Sequence, residues 1–235
     1  MKCLLFQQRS LTHLSYAKHL SQMQVLRSHS LSLNFFPSWL RSLELRSHSF
    51  NTRLDTSQFH DCIHLLQRGD CDFLISYTHP DIPMHLPYEH FTSKLVLRDT
   101  LVPVTLPDSA GQPVDQLPGT EDDPVHYLAY IESSAIGRVV DQMITAAPEP
   151  LHLRRVFVSH MAAVLKAMSS EGRGTAWLPA SHLTKEFAEG TLVPAGEERW
   201  NIPVEVRLIR SRDPLPDVSE ELWSLIPSEE DTDWG

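Results

Sequence analysis

Three times along this chain a short apolar run ends in a hydroxyl-bearing turn and is followed by a helical apolar pattern. The junctions are Val25-Leu26-Arg27-Ser28-His29-Ser30-Leu31-Ser32, Tyr127-Leu128-Ala129-Tyr130-Ile131-Glu132-Ser133-Ser134 and Arg155-Val156-Phe157-Val158-Ser159-His160. Strand, turn and helix in repetition restrict the chain to an α/β architecture, in which helices cover a sheet. The turns also carry chemistry. A helix N-terminus has unpaired N–H groups and the positive end of the dipole, and a serine there either caps the helix or shares those donors with a polar or anionic ligand. Open α/β sheets collect ligands outside the carboxyl ends of their strands, so several such turns predict a small-molecule cleft.

The rest of the chain extends the pattern. A first strand at 24–30 leads to Phe36, Trp39, Leu40 and Leu43 at helical spacing, with Pro37 in the first turn. A polar strand at Thr52–Thr56 precedes a helix with Phe59, Cys62, Ile63 and Leu66 on one face, ending at Gly69. Residues 71–78 read as a buried strand of the kind found in parallel sheets. Two strands are expected at Lys94–Leu97 and Leu101–Leu106, separated by the polar Arg98-Asp99. After an irregular stretch at 107–124, a second unit begins. Its strand at 126–131 feeds a helix with Ile136, Val139, Val140, Met143 and Ile144 on one face, and its strand at 153–158 feeds a helix with Met161, Val164, Leu165 and Met168. A strand at 204–209 and a helix with Val218, Leu222 and Leu225 close the pattern. The sum is a two-lobed clamshell whose ligand lies between the lobes.

Composition excludes several classes. With 235 residues, 41% of them hydrophobic, the chain can bury a core. No stretch approaches the roughly 20 apolar residues that cross a bilayer, and Met1–Met23 lacks a signal-peptide pattern, so no membrane partner and a cytoplasmic location are expected. Cys3, Cys62 and Cys71 fit reduced thiols. A net charge of −10 argues against direct nucleic-acid binding, which needs a basic face. His60 and His64 have ligand-compatible spacing but lie opposite the apolar stripe, so a solvated face is expected and no metal or cofactor. No phosphate loop, nucleophile elbow or zinc-protease motif is present, and the expectation is a protein that is not an enzyme, although the clamshell itself also serves enzymes.

The order of several segments carries a resemblance. The chain resembles the C-terminal effector-binding domain of LysR-type transcription regulators. The segments are His29-Ser30-Leu31-Ser32, Gly69-Asp70-Cys71-Asp72-Phe73-Leu74-Ile75, Leu97-Arg98-Asp99-Thr100-Leu101-Val102-Pro103-Val104, Glu171-Gly172-Arg173-Gly174-Thr175-Ala176-Trp177-Leu178-Pro179 and Glu189-Gly190-Thr191-Leu192-Val193. Within that family Asp72-Phe73-Leu74-Ile75-Ser76-Tyr77, Gly137-Arg138 and Phe157-Val158-Ser159-His160-Met161 are most similar to the hypochlorite-responsive regulators.

The resemblance implies a type II periplasmic-binding-protein-like clamshell of two α/β subdomains with crossover strands. Residues 24–103 would form the first part of lobe I, 104–202 lobe II, 203–227 the return to lobe I and 228–235 an acidic tail. Residues 1–23 would be the remnant of a linker helix, the winged helix-turn-helix that reads DNA being absent. The implied function is regulation of transcription by a small polar or anionic effector or an oxidant. By position the cleft would be lined by Ser30, Ser32, Tyr77, Thr78, Ser133, Ser134, Ser159 and His160. Each serine has the competing reading of a plain helix cap, worth about 1 kcal/mol. Met161 would be an oxidant sensor, since sulfoxide formation makes a flexible apolar side chain polar; packing in the core is the plainer alternative. The family also implies a homodimer. A free-standing small-molecule-binding protein of the same fold is the alternative function.

Overall fold

A computed structural model describes residues 22–27, 31, 35–56, 59–84, 86–87 and 89–227. Strand β1 (Met23–Arg27) runs parallel to β2 (Thr52–Thr56) on one side and to β3 (Phe73–Thr78) on the other. Two helices make these crossovers. Helix α1 (Phe36–Glu44) begins with Pro37, whose missing N–H costs nothing in a first turn, and buries Phe36 and Leu43 while Trp39 and Leu40 lean on the core. Helix α2 (Phe59–Gln67) buries Phe59, Cys62, Ile63 and Leu66, one stripe at 3.6-residue spacing, and leaves His60 and His64 exposed. It stops where Gly69 takes a positive φ of 68° and Asp70 N–H turns back to the Leu65 carbonyl.

All six residues of β3 are buried, as the uninterrupted apolar run requires. The sheet is nonetheless mixed, because β9 (Ile202–Ser211) lies antiparallel between β3 and β4 (Phe91–Thr105). The two strands expected at 94–97 and 101–106 are one strand of 15 residues. Arg98 and Asp99 do not interrupt it, since they pair in register with Glu205 and Val204 of β9 and their side chains stand at the sheet's margin; the one irregularity falls between Leu95 and Leu97. Asp99 secures the strand by accepting from Thr100 N–H (2.8 Å) and from the Ser181 hydroxyl (2.6 Å). Beyond Leu101 the same strand leaves β9 and pairs with β7 (Ala176–Pro179) and β8 (Val193–Pro194).

The second α/β unit is built on β5 (Val125–Tyr130), parallel to β6 (Leu153–Ser159) and joined to the main sheet through a bridge between Tyr127 and Thr175. Helix α3 (Ala135–Thr145) buries Ile136, Val139 and Val140, and helix α4 (Ala162–Ser170) buries Ala162, Leu165 and Ser169. A short helix α5 (Thr184–Glu189), with no buried residue to give it a pattern, was not expected from the sequence. The final helix α6 (Asp217–Leu225) returns to the first unit. Arg210 of β9 grips it through a bidentate pair with Glu220 (2.6 and 2.7 Å), and Lys94 of β4 donates to the carbonyls of Trp223 and Ile226 while lying 4.9 Å from the Trp223 ring centre. One apolar cluster runs through both units, from Met23, Phe73 and Leu74 by way of Leu101 to Leu128, Tyr130 and Trp177. Among the described residues no helix is long and apolar enough to cross a membrane.

Candidate functional site

The second and third junctions behave differently once their hydrogen bonds are traced. Ser30 and Ser32 lie outside the described residues; Leu31 between them is fully buried. At the second junction Ser134 is the N-cap of α3, its backbone extended (φ −87°, ψ 150°) and its Oγ accepting from Gly137 N–H at 2.8 Å. Its acceptor role is therefore taken by the helix. Ser133 is half-buried in the same turn, which closes through Ser134 N–H to the Ile131 carbonyl. Gly137 explains how tightly the helix start sits on the strand: a Cβ there would stand 2.3 Å from the Ile131 carbonyl oxygen and 3.1 Å from the Tyr130 Cβ.

At the third junction Ser159 Oγ accepts from Met161 N–H (3.1 Å), holding the turn before α4, and its carbonyl accepts from Ile131 N–H (3.1 Å). That last bond ties the second and third junctions together. His160 is exposed. Met161 occupies the N-cap position of α4, half-buried, and does not belong to the buried stripe, which is formed by Ala162, Leu165 and Ser169 one residue further round the helix.

Tyr77 and Thr78 end β3 and are both buried. The Thr78 hydroxyl donates to the Glu205 carbonyl at 3.3 Å. The Tyr77 phenol lies beside Asp99 and Ser181, and burial, reinforced by the Asp99 charge, pushes its pKa far above the ordinary value. Tyr130 at the end of β5 is wholly buried, with Tyr77 and Tyr127 as electrostatic neighbours. The hydroxyls of Tyr127 and Tyr130 have no hydrogen-bond partner among the described residues. Tyr77 of the first unit and Tyr130 of the second are thus neighbours, at the seam where α3 packs against β3.

Beside that seam the structure opens a groove of about 500 Å³. One wall is the loop after β3, with Asp81, Ile82 and Pro83; the other is Glu132 and the polar face of α3, with Arg138, Asp141, Gln142 and Thr145. None of these eight is among the residues expected from the sequence, yet Asp81 follows Thr78 closely and Glu132 adjoins Ser133. Arg138 spans the groove, donating to the Pro83 carbonyl at 2.8 Å with its guanidinium 5.2 Å from the Phe59 ring centre. Burial pulls the Arg138 pKa down, and burial pushes the Asp141 pKa up against the opposing pull of Arg155. The loop wall is stiffened by Asp81 N–H donating to His79 Nδ1 (3.2 Å), which assigns the ring proton to Nε2 if His79 is neutral. Three carboxylates and one guanidinium line the groove, a mixed charge set suited to a polar small molecule.

Other sequence features carry no chemistry here. Cys62 and Cys71 are buried free thiols, and burial, with the charge of Asp72 next in weight, pushes the Cys71 pKa up to about 12, so its thiolate is not formed near neutrality. Among the described residues no group of three or more His, Cys, Asp or Glu side chains is placed to hold a metal ion.

Comparison with known proteins agrees with this fold. The chain is 26% identical over 204 residues to the HTH-type transcriptional regulator YjiE of Escherichia coli (strain K12), covering 86% of this chain and 63% of that protein. It is equally similar, 26% over 204 residues, to the HTH domain-truncated transcriptional regulator QseD of Escherichia coli O157:H7, covering 86% of this chain and 79% of that one. The chain therefore spans less than two thirds of the length of the first relative. Its fold matches the full-length structure of HypT, a hypochlorite-specific LysR-type transcriptional regulator from Salmonella typhimurium, with a TM-score of 0.74 at 25% identity, covering 88% of this chain and 67% of that one. The LysR substrate binding domain family matches residues 24–229, and with the periplasmic-binding-protein-like α/β architecture seen here the chain belongs to that family.

Proposed function

We propose that this domain senses a small polar effector in the groove between the loop after β3 and α3, and that occupancy controls transcription. The observation that carries the reading is the groove itself: it lies where the two α/β units meet, and Arg138 of one unit already reaches the Pro83 carbonyl of the other. In this reading residues 24–103 and 203–227 form one lobe and 104–202 the other, with the serine turns bordering the site. A ligand that touches both walls would favour their closed arrangement, and it can shift the equilibrium only by its differential affinity for the two arrangements. DNA contact would belong to a helix-turn-helix outside residues 24–229, because this chain's charge of −10 opposes a phosphate surface. Pairing with a second copy accompanies the reading, as the family resemblance implies. The domain binds without turnover.

The test is a thermal-shift screen of polar small molecules against the whole chain, repeated with Gln142→Trp, which fills the groove. Ligand-dependent stabilisation that Gln142→Trp abolishes supports the site; stabilisation that survives it places the ligand elsewhere.

A second reading concerns oxidants. Met161 is half-buried and off the core stripe, and HypT is described as hypochlorite-specific. Oxygen transfer from hypochlorite would give methionine sulfoxide and chloride, placing a polar sulfoxide beside the Ser159 turn. Peptide mapping after substoichiometric hypochlorite should find Met161 oxidised ahead of Met168; the reverse order would eliminate it as a sensor.

A further inference from the structure

The groove holds charges that pairing within the chain does not explain. Arg138 and Asp141 stand three residues apart on α3, a spacing that puts their side chains on the same face, yet no ion pair joins them. Arg138 directs one N–H to the Pro83 carbonyl and covers Phe59, which leaves most of its five donors available. Among the described residues Asp141 has one ionic partner, Arg155, at 3.9 Å, and no hydrogen bond to its carboxylate. Both groups are half-buried, and burial works against the charged form of each. A protein that needed this helix face only for solubility would have gained by letting the two meet.

The composition of the rim narrows the occupant. A simple anion would find Arg138 but also the carboxylates of Asp81, Glu132 and Asp141. A simple cation would satisfy those carboxylates and leave the guanidinium facing it. A molecule carrying both charges meets both walls. Building on the effector-binding function above, we propose that the groove binds a zwitterion of the α-amino-acid class, its carboxylate on Arg138 and its ammonium on Asp141, with Glu132 and Asp81 at the rim. Gln142 adds a neutral amide on the same face, one residue from Asp141, able to donate to the carboxylate or accept from the ammonium. Arg138 then acts as a strap: a ligand carboxylate would gather donors on a residue already bonded to the opposite wall, so binding and closure become one event.

The test uses calorimetry on the whole chain with a panel of L-amino acids. Each one that binds is compared with its des-amino acid and with its decarboxylated amine. Each half-molecule should bind at least about tenfold more weakly than the parent, the scale of losing one charge-assisted hydrogen bond. Arg138→Met should erase the preference of parent over amine, and Asp141→Asn the preference of parent over des-amino acid. Circular dichroism checks that each variant is folded, and the half-molecule comparison on the unaltered chain stands without them. Des-amino acids binding as tightly as their parents would overturn the zwitterion. So would stabilisation by phosphate or carboxylic acids with none from the amino acids, although effector binding would then survive. Failure of both sets, with no other polar molecule stabilising the chain, would overturn the zwitterion and the effector-binding function together.

Discussion

The C-terminal clamp and the groove are both built around an arginine, and they treat it in opposite ways. Arg210 is 5% exposed, and its guanidinium meets Glu220 in two bonds, the carbonyls of Ser211 and Asp213 in two more, and the face of Trp223 at 5.4 Å. Among the described residues Arg138 has one hydrogen-bond acceptor and one ring, with three carboxylates lining the same groove. Where the chain needs an arginine to hold α6 on the sheet, it engages four of the five donors. Where the two units face each other across open space, it leaves them available. Completeness of pairing therefore separates the part of the molecule that fixes the fold from the part that is disposed to bind.

Mutations should sharpen this contrast in a definite order. Glu220→Ala leaves the nearly buried Arg210 guanidinium without its carboxylate and should destabilise the chain by about 2–3 kcal/mol, the low end of the buried-pair scale because the Glu220 side chain is 42% exposed and screened by solvent, read from urea unfolding. The double change Arg210→Met with Glu220→Leu should recover much of that loss, because an apolar pair removes the desolvated charge altogether. The same pair sets an acid dependence. Its hydrogen bonds with Arg210 hold the Glu220 carboxyl at about 2, below its ordinary value of 4.5, so its contribution is full above about pH 4.5 and fades as pH falls towards 2. Glu220→Gln should flatten that part of the stability profile; an unchanged acid limb would mean that the pair is not formed.

Gly137→Ala should rank next, at about 2 kcal/mol, because the new methyl meets backbone at the Ile131 carbonyl rather than a movable side chain. If the helix start yields without cost, the junction of β5 and α3 is looser than drawn. Arg138→Met should cost least, under about 1 kcal/mol, since a single bond at a half-buried surface and one ring contact are all that it removes. A larger loss, measured by the shift in unfolding midpoint, would make Arg138 a structural residue like Arg210 and dissolve the contrast.

Much of the fold was legible in sequence, and the groove was not. Alternating strand and helix patterns locate β1 to β3, β5, β6 and β9 with their helices because one buried stripe per element leaves a periodic trace. The trace fails at β4, where Arg98-Asp99 resemble a break but lie in the middle of a continuous strand, and at α5, which buries nothing. The serine turns were legible as helix starts, and Ser134 shows why that signal is ambiguous: its oxygen is engaged by the helix it opens. Asp141, Gln142 and Thr145 had no signal of their own, and Arg138 had only its place in the Gly137-Arg138 string. On a helix they form the polar face expected opposite Val139 and Val140, and only the loop at Asp81–Pro83, far away in sequence, turns that face into one wall of a cavity.

Strand β4 has a consequence for how the molecule comes apart. Its first two thirds belong to the ladder with β9, and its last third to the ladders with β7 and β8, without any loop between them. The seven-stranded sheet cannot come apart on one side of β4 without fraying the other, so it should melt in a single cooperative transition. The amides of β4 and β9 should be the last to exchange with deuterium, opening only in global unfolding. Those of β6, on the edge of its two-stranded sheet, should exchange at lower cost.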